Sequence, residues 1–244
     1  MTDGLEEMIR LLGGSYIFKI TFYTAPSGPS SINNNDDAMN SAMIVFDDLD
    51  SQGAFDKFDA FLVACYSVHP LVSKIRERVG PSVPVTGIFE ASIGAALMLL
   101  SGRGDKKPRQ TFGIISTGSY WEIALTEGVL GFFSAERSEE LKFFKGVRTT
   151  GLNATELHEV DQEVVKSKIK KATRSLLRER DCSVIILGCA GMSGMDEWVQ
   201  EAVIDELGTH QSEYVTIVDG VKAGIVYLEG AVKIFPRRTA ERSS

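Results

Sequence analysis

Twice in this chain an apolar run ends in a cysteine: Phe61-Leu62-Val63-Ala64-Cys65 and, 124 positions later, Ile185-Ile186-Leu187-Gly188-Cys189. The spacing is about half of the 244 residues. The segments after the two cysteines are also alike: a polar loop, a helical pattern, then a short apolar strand running into the similar segments 85–94 and 215–224. Self-similarity at this scale means two supersecondary units of related topology.

Apolar runs at 16–23, 58–64, 83–88, 112–116, 184–187 and 214–218 are short, rich in β-branched and aromatic residues, and not strictly alternating. That is the pattern of strands buried on both faces by helices. Between them, 71–79, 160–179 and 198–207 carry apolar residues at helical spacing, so the chain is expected to be a parallel α/β protein. The segments 27–37 and 101–108 read as exposed loops, and 3–12 as a helix capped by Asp3. Two pseudo-symmetric domains are expected, each a three-layer α/β unit on a parallel sheet. Residues 1–100 with 213–244 form one, expected to lack its first strand, and 101–212 the other. Open α/β sheets bind ligands beyond the carboxyl ends of their strands, where both cysteines sit, so the site is expected in the cleft between the units.

A net charge of −7 without a clustered basic face argues against nucleic acid. The longest apolar run, 93–100, is far short of the roughly 18 residues of a membrane span. Three cysteines make no disulfide framework, and no secretory leader opens the chain. A cytoplasmic protein with working thiols is therefore expected.

Two thiols on opposite faces of an acidic carbon suit stereoinversion, one abstracting as thiolate and the other donating as thiol. Pro70 after Cys65 starts a helix, and the Ala190-Gly191-Met192-Ser193-Gly194 loop after Cys189 offers backbone N–H groups, both favouring a nearby negative charge. Ser116, Thr117 and Gly118, at a strand end opening a helix, form a candidate anion or oxyanion site. Ser67, Glu90, Ala190 and Gly191 complete the expected substrate contacts. Cys182, at the far end of its strand, reads as structural, and His69 as incidental or as orienting the Cys65 loop. His158 and His210 lack metal-ligand spacing, and no metal is expected. The glycine-rich 188–194 segment fits no nucleotide fingerprint, so no cofactor is expected.

The stretches Ala64-Cys65-Tyr66-Ser67-Val68-His69-Pro70, Gly87-Ile88-Phe89-Glu90-Ala91, Leu187-Gly188-Cys189-Ala190-Gly191-Met192 and Val218-Asp219-Gly220-Val221 resemble the aspartate/glutamate/hydantoin racemase superfamily. They are most like its hydantoin and allantoin racemase branch and the fungal DCG1-like proteins. The resemblance implies two pseudo-symmetric α/β domains and a cofactor-independent two-base mechanism using Cys65 and Cys189. It also implies that Thr117 and its neighbours hold a substrate carboxylate or carbonyl, with a small-molecule substrate and a homo-oligomer expected. The family opens on a strand ending in an Asn-Pro-Asn-type loop, whereas this chain opens on the 3–12 helix. The leading expectation is racemisation of a 5-substituted hydantoin such as allantoin. The alternatives are amino-acid racemisation, maleate isomerisation or decarboxylation on the same fold, or a catalytically degenerate binding protein.

Overall fold

The computed structural model describes residues 18–101, 110–178 and 181–234. The helix expected at 3–12, the start of the 16–23 strand and most of the 101–108 loop lie outside them.

Two parallel sheets organise the chain. The smaller pairs β1 (Phe61–Val63) with β2 (Val85–Gly87), and Leu62 lies beside Thr86. The larger has the order β4-β3-β5-β6, with β3 at Thr111–Ser116, β4 at Phe144–Thr149, β5 at Cys182–Leu187 and β6 at Thr216–Asp219. All its pairings are parallel. Among the described residues seven longer helices connect and cover the strands: α1 (Asn35–Ser51), α2 (Pro70–Val79), α3 (Ile88–Ser101), α4 (Tyr120–Phe132), α5 (Gln162–Leu177), α6 (Asp196–Leu207) and α7 (Gly220–Ile234).

The repeat seen in the sequence is a repeat of topology. β1, the Cys65 loop, α2, β2 and α3 succeed one another as do β5, the Cys189 loop, α6, β6 and α7. In both cases the second strand lies parallel and adjacent to the first, and a helix begins at once after it.

Alternation along β3 and β5 sets the layers. Phe112, Ile114, Val184 and Ile186 face a core built from α3, α4 and α7, while Ile115, Ile185 and Leu187 face the core under α5 and α6. A third core joins α1 and α2 to β1 and β2 through Val45, Leu49, Val63, Ile75 and Val85. Leu62, on the other face of β1, packs into the first core. Helices α3 and α7 therefore lie between the two sheets and serve both. β6 completes the larger sheet, and α7 returns to pack on α3 and β1.

Three elements differ from expectation. Residues 18–23 form no strand. Ile20 and Phe22 pack on the first core, and the Tyr23 hydroxyl donates to the Asp48 carboxylate at 2.6 Å, so this stretch is held by side chains rather than by a ladder. Helix α1 begins inside the expected 27–37 loop, where Asn34 caps it by accepting from the Asp37 N–H at 2.9 Å and Asp37 accepts in return from Asn33 N–H. Strand β4 was not anticipated. Phe112 pairs with Phe144 but Ile114 with Val147, so β4 carries one extra residue in a bulge where Gly146 has φ +100°. The bulge spaces the two buried side chains, Phe144 and Val147, by three, and that erases the period of two.

Candidate active site

Cys65 lies just beyond β1 and Cys189 just beyond β5, at the carboxyl ends of the first strands of the two repeats. Both residues are half-buried free thiols. Cys65 packs at the margin of the β1/β2 core and Cys189 at the margin of the α5/α6 core, so different parts of the fold deliver them. Burial pushes the Cys65 thiol up to about 12, against a hydrogen bond with Ser67 that lowers it, and negative charge on Cys189 raises it further. Burial likewise pushes Cys189 up to about 11, opposed by the backbone N–H groups of Gly191 and Met192. Each thiol rests protonated, and ionising one disfavours ionising the other.

The Cys65 side is firmly seated. Ser67 is buried, its hydroxyl 3.5 Å from the Cys65 sulfur and its N–H donating to the Cys65 carbonyl at 3.1 Å. The Tyr66 hydroxyl lies 3.0 Å from that of Ser92, and the Tyr66 ring stands edge-on to Phe89 at 5.5 Å between centroids. His69 is a buried cap of α2, its Nδ1 accepting from the Leu71 N–H at 3.3 Å; desolvation lowers its pKa to about 4 and keeps it neutral. Glu90, in the first turn of α3, turns its carboxylate back to accept from the Gly87 N–H at 3.1 Å, and burial raises its pKa.

On the other side, Ser116 and Thr117 are buried at the end of β3. The Ser116 hydroxyl donates to the Gly188 carbonyl at 2.7 Å, tying this turn to the residue before Cys189. Ser116 and Thr117 accept backbone bonds from Thr150 and Gly151 at 2.9 and 3.0 Å, and Asn153 lies beside Gly118. Ala190 and Gly191 form the single 3-10 turn after Cys189, with the Met192 N–H donating to the Cys189 carbonyl at 3.0 Å. Of the residues predicted from sequence, Ser67 thus touches Cys65, Gly191 touches Cys189, and Ser116 bonds the Cys189 strand, whereas the Glu90 carboxylate is spent on Gly87. Thr150, Asn153 and His158 join the site without a sequence signal. They come after the bulged strand β4 and reach the thiol loop only through the tertiary fold. Cys182 is the first residue of β5, buried at the opposite end, where burial pushes its thiol up to about 12.

Gly188 is packed against the end of β3 with no room for a side chain. A Cβ there would lie 2.7 Å from Ile114 Cγ2 and 2.8 Å from the Ile115 carbonyl oxygen. Gly188→Ala is expected to destabilise the protein by roughly 1–3 kcal/mol, since the clash is partly with backbone, and to displace Cys189. Chemical denaturation measures the first effect and the thiol alkylation rate the second.

The sequence pattern of the Asp/Glu/Hydantoin racemase family matches residues 1–228. The chain belongs to this family. It is 27% identical to the DCG1 protein of Saccharomyces cerevisiae, over 93% of this chain and 89% of that protein. It is 26% identical to the hydantoin racemase of a Pseudomonas strain, over 96% of this chain and 82% of that enzyme. Among solved structures it resembles allantoin racemase from Pseudomonas fluorescens with a TM-score of 0.74 and 26% identity, covering 99% of this chain and 89% of that one. The parallel α/β architecture is therefore that of the racemases. Among the described residues no helix is long and apolar enough to cross a membrane.

Proposed function

We propose that this racemase-family protein inverts the ring stereocentre of a 5-substituted hydantoin, allantoin being the leading candidate, with Cys65 and Cys189 as its two bases. What supports the reading is that each topological repeat follows its first strand with a free thiol, and that charge on Cys189 raises the pKa of Cys65. The hydantoin and allantoin racemases among the relatives favour this substrate class over a free amino acid. The C5 hydrogen lies between a carbonyl and a ring nitrogen, so its carbanion is delocalised. One cysteine, as thiolate, takes that hydrogen while the other, as thiol, delivers its own to the opposite face; each turnover leaves the two with exchanged roles. The donors around Thr117 and Gly118 would hold the carbonyl oxygen on which negative charge develops.

Incubating single enantiomers of a panel of 5-substituted hydantoins in D2O is the test. Loss of optical rotation above the buffer rate, with one deuterium gained at C5, is expected for at least one member. No gain over buffer across the panel, together with inversion of a free amino acid, would favour the second reading, amino-acid racemisation on the same fold. The pH dependence has a definite sign. Both thiols sit above their ordinary range and the working form needs one of them ionised. kcat/KM is therefore expected to climb from pH 6 to 9, by at most about tenfold per unit, and a flat profile would contradict thiol chemistry.

A further inference from the structure

The chain has three histidines, and the fold disposes of two. His69 caps α2 as a buried neutral ring, and His210 stacks on Tyr214 at 5.9 Å between centroids. The third, His158, lies on the single helical turn Glu156–Glu159 between β4 and α5. Leu157 anchors this turn in the α5/α6 core, 3% exposed, and the turn packs against the 3-10 turn after Cys189. The anchoring sets the neighbouring imidazole over Gly191. A Cβ at Gly191 would stand 3.4 Å from His158 Nε2 and 3.6 Å from the Cys189 sulfur. Nitrogen and sulfur are thus no more than the sum of those distances, 7.0 Å, apart, a separation that a rotamer change together with a bridging water would span. The imidazole is exposed to solvent. Nothing comparable among the described residues stands beside Cys65, whose polar neighbour is the buried Ser67 hydroxyl.

We propose that His158 is the proton relay of Cys189, joining this thiol, and not Cys65, to bulk water across Gly191. When Cys189 has taken a proton, the S–H bond breaks toward neutral Nε2, leaving thiolate and imidazolium, and the imidazolium releases that proton to water from its exposed edge. The reverse sequence reprotonates the sulfur. The two thiols consequently exchange protons with solvent at unequal rates. Only the catalytic corollary rests on the racemase reading: label removed from one enantiomer by Cys189 is washed into solvent faster than label removed from the other by Cys65.

The test needs no substrate. Wild-type, H158Q and H158A full-length proteins are alkylated with iodoacetamide at one near-neutral pH, and each cysteine is followed by peptide mass spectrometry. Because transfer to His158 keeps part of Cys189 as thiolate paired with imidazolium, and the thiolate is the reactive form, Cys189 is expected to slow at least about fivefold in both variants while Cys65 changes less than about twofold. Added imidazole is expected to restore most of the loss in H158A, which a purely structural role would not allow. Unchanged Cys189 reactivity, a parallel fall at Cys65, or failure of imidazole to rescue would each overturn the relay. If the alkylation result holds and no hydantoin is racemised, the relay stands and the proposed reaction falls. If hydantoin is racemised with identical alkylation in all three proteins, the reverse is true.

Discussion

Cys189→Ser is expected to lower hydantoin racemisation by about 10³-fold or more, within the range general for loss of a positioned acid or base, and Cys65→Ser to do the same. A serine hydroxyl ionises far less readily than a thiol, and the site already holds its thiols above their ordinary range, so a less acidic group has no compensating help. The two variants are nevertheless expected to differ in kind. Each retains one thiol facing one side of the substrate, and each should still catalyse deuterium exchange at C5 of the enantiomer whose hydrogen meets that thiol, without inversion. Polarimetry in D2O combined with chiral separation and mass analysis separates exchange from inversion. Full racemisation by the double variant would refute the mechanism.

Phe89→Ala is expected to cost about 3–5 kcal/mol of stability, as for other fully buried aromatic truncations. Phe89 is 1% exposed in the first turn of α3. Its ring meets Tyr66 edge-on, and a Cβ at Gly128 in α4 would come within 3.1 Å of it. The void would thus open between α3, α4 and the residue next to Cys65. The loss should appear as a lower denaturation midpoint with slope unchanged, and alkylation of Cys65 should accelerate relative to Cys189. A loss below about 1 kcal/mol would mean that the core collapses onto the space.

Particular elements show what the sequence reveals and what it hides. Strand β5 is readable because every side chain from Cys182 to Leu187 is buried, which leaves the apolar run Val184–Leu187. Strand β4 is hidden because one bulge at Gly146 shifts the spacing of Phe144 and Val147 from two to three. Helix α1 is masked by its own cap, since Asn33-Asn34-Asn35 reads as loop until Asn34 is seen accepting from Asp37. At the site, the thiols stand out because a repeat marks them twice. Glu90 is equally visible, but the carboxylate folds back on the Gly87 N–H, a local bond that a linear motif does not encode. His158 carries no signal, because what places it is the burial of its neighbour Leu157 against strands and helices distant in sequence.

Helices α3 and α7 share one apolar core with β1 on one side and with β3 and β5 on the other. Swinging the sheets apart like a hinged shell would drag Phe89, Ile93, Val221 and Ile225 into water, at roughly 1.5–3 kcal/mol for each side chain. The frame between the two sheets is thereby held rigid, and beside Cys65 it is a side chain, Val68 at 58% exposed, rather than a hinge that meets solvent.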